Sequence, residues 1–409
     1  MQPRSILPLD AIWLSDPQFW LRPLEDREGA FETLRRERPV SFHAEFETDL
    51  FPRGPGYWAL TKHADVLLVS RQPELFCSGR GSNIEDLPEA FLEFFGSMIN
   101  MDDPRHARLR RIVSRGFTPR MIERTEDRVQ RVAAAIVDRV CELGRCDFVT
   151  EIAAALPLEI ICDMMGIPKT EEKFVFDRTN AILGVGDPEY TSDPAQIIPE
   201  LLRAGSELSQ LVQDLGHYRL KNPTDDLTSA LVNAEIDGER LTDAELGSFF
   251  VLLVVAGNET TRNAISHGLL ALCEHPDQRA IWQADFDAVA PTAVDEIVRW
   301  ATPVIHFRRT ATQDTEIRGQ RIRAGEKVVL WYASANRDED VFADPHRFDV
   351  RRSPNPHVGF GGPGPHFCLG AHLARREITV MFRELLQRLP DIRVAGEPDR
   401  LASHFIHGI

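Results

Sequence analysis

Phe360-Gly361-Gly362-Pro363-Gly364-Pro365-His366-Phe367-Cys368-Leu369-Gly370 is the stretch that decides how this chain is read. A loop opened by Gly361, Gly362 and Gly364 and stiffened by Pro363 and Pro365 ends at a cysteine. A helical pattern begins at once, with Gly370, Ala374, Ile378, Met381, Leu385 and Leu389 on one apolar stripe. Cys368 therefore stands at a predicted helix N-terminus, where free amides and the helix dipole favour a thiolate. Glycines let backbone amides and a large planar ligand approach closely. The other reading of Cys368 is a buried structural cysteine.

Gly359, Gly361 and Gly364 also fit G-x-G-x-x-G, with Glu384 about the right distance beyond for a ribose contact. That fingerprint needs a central strand before the glycines, and Pro354 and Pro356 stand there instead. Glu384 falls inside the helix rather than at a strand end. A dinucleotide fold is rejected.

Upstream of the loop the texture is β. Glu316-Ile317-Arg318, Gly319-Gln320 and Arg321-Ile322-Arg323 read as a hairpin, and Lys327 to Trp331 as a further strand. Asn336 to Pro365 forms a long loop, a length that is usually functional inside a compact domain. Tyr57 to Leu60 is a short strand, and Gly29 to Arg36 is helix-like. Ala107 to about Glu274 is dominated by helical spacing, broken at Gly166-Ile167-Pro168, Gly186-Asp187-Pro188 and Asn222-Pro223. No linker or repeat divides the sequence, so one domain over 1–409 is expected, mainly α with a small, mostly C-terminal β region.

Thr242-Asp243-Ala244-Glu245 is a capping box. The helix it starts runs to about Glu274, roughly 45–50 Å at 1.5 Å per residue. Phe249 to Ala256 is apolar on every face, so this helix should be buried. Ala256-Gly257-Asn258-Glu259-Thr260-Thr261 interrupts it with poor helix formers and a carboxylate. Two readings stand. Gly257 is a packing glycine, or the helix opens locally there, leaving room for a ligand beside Thr260 and Glu259. Glu296 and Arg299 lie one turn apart in a helix just before the β region. His106 and Arg110 share a helix face, either a solvated basic face or a clamp for a buried dianion.

The 47 basic and 63 acidic residues give a net charge of −16, which argues against nucleic-acid or anionic-membrane binding. Cys77, Cys141, Cys146, Cys162, Cys273 and Cys368 form no C-x-x-C pair and no regular framework, so a reducing cytoplasm is expected. Met1 to Pro17 has no apolar signal core, and the longest notable apolar run, Phe249 to Ala256, falls far short of the roughly 20 residues of a membrane span.

His106 to Arg110, Ala256 to Thr261, Glu296 to Arg299 and Phe360 to Gly370, in this order, resemble the cytochrome P450 family of haem-thiolate monooxygenases. The resemblance covers the whole chain and implies a helical prism with a small β domain around haem b. It implies that Cys368 is the thiolate ligand to iron, which favours O–O cleavage. Ala256, Gly257, Phe360, Gly361 and Gly370 would lie against the haem. His106, Arg110, Arg309 and His366 would pair with its propionates, with Arg308 competing for the Arg309 role. Glu259 and Thr260 match the acid–alcohol pair that manages protons, and Glu296 and Arg299 would tie their helix to Phe348-Asp349-Val350-Arg351.

One departure is visible: the family's phenylalanine stands seven residues before the cysteine, whereas Phe360 stands eight before and Gly361 seven. The lengthened loop, Val255 to Asn263, Asp295 to Pro303, Ser334 to Glu339 and Phe405 to Ile409 resemble the bacterial omega-hydroxylases of methyl-branched lipids and steroid side chains. The resemblance thus implies hydroxylation of an unactivated C–H bond on a lipid, terpenoid or sterol, by a monomer drawing electrons from separate ferredoxin and ferredoxin reductase proteins. Peroxide-driven peroxygenation and a non-catalytic haem binder are the alternatives. Met98, Ile99, Leu252, Ala256, Val304, Ile305, Phe405 and Ile406 are the candidate apolar pocket. Arg105, Arg108, Arg111 and Arg115, with Arg375 and Arg376, would form a basic patch for an acidic ferredoxin.

Overall fold

The computed structural model describes residues 7–47, 53–87, 89–116, 119–183, 194–235 and 238–409. Two compact units are each assembled from separated segments. One comprises Met1–Leu87, Asn263–Ala371 and Ile392–Ile409, and the other Pro88–Arg262 and His372–Asp391.

The first unit carries every named strand: β1 (Val40–His43), β2 (Tyr57–Leu60), β3 (Phe76–Cys77), β4 (His306–Ala311), β5 (Thr315–Ile317), β6 (Gln320–Ile322) and β7 (Lys327–Trp331). Five form a mixed sheet in the order β1-β2-β7-β4-β3. Its centre, β7, is buried at all five positions, so after Lys327 the strand reads as a continuous apolar run, Val328 to Trp331. It pairs in parallel with β2, Tyr57 opposite Lys327, and antiparallel with β4. Three of the five strands come from the first 77 residues. The β region is mostly C-terminal as expected, with four of the seven named strands between His306 and Trp331, and the N-terminal strands join it by long-range pairing that local texture does not reveal. Below the sheet, Trp20 stacks on Trp331 at 5.7 Å, and Phe31 and Tyr57 fill in around them. Buried Lys327 is neutralised by Glu45 at 2.9 Å and Asp86 at 2.8 Å.

β5 and β6 make the expected hairpin. Its turn is Arg318-Gly319, both with positive φ (49° and 77°), rather than Gly319-Gln320. Two left-handed residues in succession match the twist of the flanking strands. The helix expected over Gly29 to Arg36 spans Leu24–Glu37, because Pro23 can precede a helix but not continue one.

The second unit is helical. Pro119–Val140 packs against Ala155–Met165, and Lys169–Leu183 against Pro194–Lys221. The break expected at Gly186 to Pro188 lies outside the described residues. The Asp243–Glu274 helix begins at the predicted capping box: Thr242 Oγ1 accepts from the Glu245 amide at 3.1 Å, and Glu245 Oε2 from the Thr242 amide at 3.0 Å. Among the described residues, no helix is long and apolar enough to cross a membrane.

Candidate functional site

In the first unit, the segment after Ala335 holds no regular element until the Ala371–Arg388 helix. Its shape is imposed from the Phe286–Ala301 helix. Glu296 and Arg299 are fully buried and joined by two bonds of 2.7 and 2.8 Å. Arg299 Nη1 donates to the carbonyls of Asn336 and Pro345, both at 2.9 Å. Glu296 in turn accepts from the Asp349 amide at 2.9 Å and from Arg352 Nε at 3.1 Å. Every charge is answered, which makes the arrangement affordable in the interior. Arg352, and not Arg351, closes the network on the loop side. Asn336 continues it: its side chain accepts from the Val358 amide at 2.8 Å and donates to Thr302 Oγ1 at 2.8 Å. Sequence reasoning missed Arg352 and Asn336, since neither stands in a recognisable spacing.

The cysteine loop follows directly. The Gly361 amide donates to Val358 O at 2.9 Å, the Phe367 amide to Gly364 O at 3.1 Å, and the Cys368 amide to Phe360 O at 3.0 Å. Gly361, seven residues before the cysteine, has a φ of +83° that a larger residue would rarely adopt. Gly364 is required for another reason: a Cβ there would lie 2.1 Å from the Ser70 carbonyl oxygen. Phe360 is half-buried and faces Phe367 with ring centroids 6.5 Å apart.

Cys368 is exposed, three residues before the Ala371–Arg388 helix. It is unlike Cys162, whose thiol burial pushes up to about 12. A Cβ on Gly370 would meet nothing within 4 Å, and one on Gly361 only the His366 carbonyl oxygen at 3.7 Å. An accessible soft donor flanked by open glycine surfaces fits a planar group ligated through sulfur. His366 is half-buried in the same loop.

The two arginine candidates on β4 separate cleanly. Successive residues of a strand face opposite sides. Arg308 is tied to Asp86 at 2.6 Å and to the carbonyls of Arg80 and Asn83, so it is a structural residue. Arg309 is buried, and its side chain bonds only to the Arg308 carbonyl, at 2.8 Å, among the described residues. Its charge remains available for an anion.

The C-terminal tail lies along residues 303–306. The Ile305 amide donates to Phe405 O at 2.8 Å, the His407 amide to Pro303 O at 2.9 Å, and Val304 pairs with Ile406. The structure thus brings together Val304, Ile305, Phe405 and Ile406. Val304, Phe405 and Ile406 are partly exposed and form an apolar wall, joined by Phe307 at 5.6 Å from Phe405. Ile305 is different: it is 2% exposed and belongs to the core beneath the sheet with Trp20 and Trp331. Phe307 was missed, although it sits two positions before Arg309 on the same strand face.

In the second unit, the Asp243–Glu274 helix is unbroken through Ala256 to Thr261, so the local opening that one of the two readings required is not seen. Thr260 Oγ1 donates to the Ala256 carbonyl at 2.6 Å, a back-bond that accommodates threonine inside a helix. A Cβ on Gly257 would lie 2.8 Å from Ile161 Cδ1, so the glycine brings its helix close to that side chain. Ala256 is exposed and Thr260 partly so, on one face with Leu252, while Glu259 is buried and paired with Arg262. Met98 and Leu252 are buried and Ile99 half-buried. His106 is buried beside Asp103, Nδ1 to Oδ1 3.3 Å. Burial holds its imidazole below the usual pKa, Asp103 pulls it back up, and Arg110 pushes it down. Arg110 is half-buried.

The basic patch is reduced. Arg108 is held by Glu239 at 3.0 Å and Glu245 at 2.5 Å, and the Arg115 side chain lies outside the described residues. Arg105 and Arg111 are exposed, while Arg375 and Arg376 are half-buried.

Against known proteins, the model of the cytochrome P450 family matches residues 203–390. A methyl-branched lipid omega-hydroxylase of Mycobacterium tuberculosis is 53% identical over 411 residues, covering 100% of this chain and 95% of that protein. A steroid C26-monooxygenase of Rhodococcus jostii is 42% identical, covering 97% of this chain and 82% of its own length. Among solved structures, a cytochrome P450 of Mycobacterium marinum in complex with pseudoionone superposes with a TM-score of 0.90 at 48% identity, covering 99% of this chain and 98% of the other.

Proposed function

The chain belongs to the cytochrome P450 family of monooxygenases, and from that premise we propose that it hydroxylates the branched end of a lipid, isoprenoid or steroid side chain. The observation that carries this reading is the 53% identity, over the whole chain, to a methyl-branched lipid omega-hydroxylase. The apolar wall of Val304, Phe307, Phe405 and Ile406 supports it, because burial of hydrocarbon is the only large binding term such a substrate offers. Residues 1–409 are read as one haem domain, a reading supported by the interleaving of the two units along the chain.

In this reading Cys368 would ligate haem b through its thiolate, Phe360, Gly361 and Gly370 would lie against the ring, and Arg309, His106, Arg110 and His366 would hold the propionates. When bound, haem supplies the activation of dioxygen and the attack on an unactivated C–H bond. The rest is the protein's work. The Glu296–Arg299 network fixes the loop, so that Cys368 presents its sulfur without reorganising. Thr260 exchanges its bond to the Ala256 carbonyl for one to an incoming water, and so holds a proton donor where the reaction consumes protons. Glu259 relays protons to that water once Arg262 swings aside. Apolar side chains exclude further water, which protects coupling.

Arg105, Arg111 and Arg375 are the surface on which an acidic ferredoxin docks, with ferredoxin reductase as its own donor. Charge reversal at Arg105 and Arg111 should slow first-electron transfer at low salt. The functional reading is tested with a panel of methyl-branched fatty acids, isoprenoids and sterols, scored for a substrate-induced spectral shift and then for product position by mass spectrometry. Terminal hydroxylation with reduced ferredoxin is expected. Turnover with peroxide alone, or products on ring carbons only, would overturn it.

A further inference from the structure

In the first unit the Leu24–Glu37 helix helps enclose a cavity of about 40 Å³, lined by Trp20, Arg27, Glu28, Arg35, Arg337 and His407 among others. Three of these six are arginines, and only one is acidic. Arg35 is answered by Glu339 at 2.6 Å. Glu28 is shared between Arg337 at 3.4 Å and His346 at 3.2 Å.

Arg27 is the exception. It is 5% exposed, its Nε is fully buried, and its side chain makes no hydrogen bond among the described residues. Its one contact of note is the Trp20 ring, with the guanidinium carbon 5.8 Å from the centroid. Burial holds its guanidinium down to about 10, with repulsion from Arg400 acting the same way and the attractions of Glu28 and of Glu25, each smaller, opposing it. A buried cation with an unsatisfied donor and no ion pair among the described residues is costly for a fold to hold. Such a group in a native structure calls for an occupant.

Water would satisfy the donors and leave the charge. An anion satisfies both. A space of about 40 Å³ exceeds the roughly 10–15 Å³ that one water requires, so a halide-sized ion and one water fit together. The water has a role as well. His407 Nδ1 donates to the Ala301 carbonyl at 2.6 Å, which leaves Nε2 as an acceptor, buried and without a partner among the described residues. A water bound to the ion would donate to it.

We propose that this cavity binds one small monovalent anion of halide size against the Arg27 guanidinium. Ile305 and His407 both line the cavity, and both belong to the pairing between residues 303–306 and the tail. The ion therefore braces the tail segment that carries Phe405 and Ile406.

The test uses the haem-loaded protein and bromide as the probe, with ionic strength held constant by gluconate, which is too large for the cavity. Thermal midpoints should rise by on the order of 3 °C between 1 and 100 mM bromide. In Arg27→Gln that rise should vanish. Equal midpoints in bromide and gluconate, or a rise that persists in Arg27→Gln, would overturn the proposal. Should Arg27→Gln fail to fold, wild-type crystals grown in bromide decide the matter. An anomalous peak within hydrogen-bond reach of Arg27 supports the site, and its absence overturns it.

Discussion

Glu377 gives the sharpest prediction, because its cost can be worked out from its surroundings. It sits in the Ala371–Arg388 helix, 2% exposed, and its Oε1 has no partner among the described residues. Burial pushes its carboxyl up to about 8 from an ordinary 4.5, against the opposing pull of a hydrogen bond with Thr261. The native state therefore keeps a proton that the unfolded chain gives up. Stability from this group is complete below pH 4.5 and is lost as pH rises towards 8. A pKa difference of one is worth about 1.4 kcal/mol. The wild-type penalty is then roughly 1 kcal/mol at pH 5 and roughly 4 kcal/mol at pH 8. Glu377→Gln has nearly the same shape, can keep the Thr261 bond, and does not titrate. Its advantage over wild type should grow from roughly 1 to roughly 4 kcal/mol across that range. Guanidinium denaturation of both haem-loaded proteins at pH 5, 6, 7 and 8 measures the difference, in which the histidines and other shared titrations cancel. Parallel pH profiles, or a variant less stable than wild type at pH 8, would refute the reasoning.

Three further outcomes are expected. Arg299→Ala leaves Glu296 buried beside Arg352 alone and strips the bonds to Asn336 and Pro345, so denaturation should show a loss of about 3–5 kcal/mol together with weaker haem retention. The neighbouring arginines of β4 should divide: Arg308→Gln, which removes one of the two cations on Asp86 and the bonds to the Arg80 and Asn83 carbonyls, lowers the thermal midpoint, whereas Arg309→Gln mainly speeds haem transfer to an acceptor protein. Thr260→Ala should leave stability nearly unchanged, since only a bond back to Ala256 is lost, but should lower the yield of product per electron consumed; Thr260→Ser should restore most of that yield.

Much of this was legible along the chain, wherever a local rule determined the outcome. The capping box fixed the start of the Asp243–Glu274 helix, and Gly319 marked the hairpin, although its turn is Arg318-Gly319, one residue earlier than read. The cysteine loop was legible because glycine and proline restrict the backbone whatever surrounds them. What stayed hidden was settled by partners distant in sequence. β1 was not read at all, and the parallel pairing of β2 with β7 joins residues 270 positions apart, Tyr57 and Lys327, for reasons of shared burial. The closeness of Ile161 to Gly257 joins residues 96 positions apart and has no local signature. Glu377 passed unnoticed because one acid on a charged helix looks solvated; its place next to Ile378 on the buried stripe was the available signal. Arg27 was likewise one arginine among many until the cavity beside it was seen.

The central claim is that Cys368 binds haem iron as a thiolate. Reduced, haem-loaded protein exposed to carbon monoxide reads this directly. Wild type should show the red-shifted Soret band of thiolate-ligated iron, and Cys368→Ala should lose it while keeping its far-ultraviolet circular dichroism. A folded wild-type protein without that band, or a Cys368→Ala variant that retains it, would contradict the account.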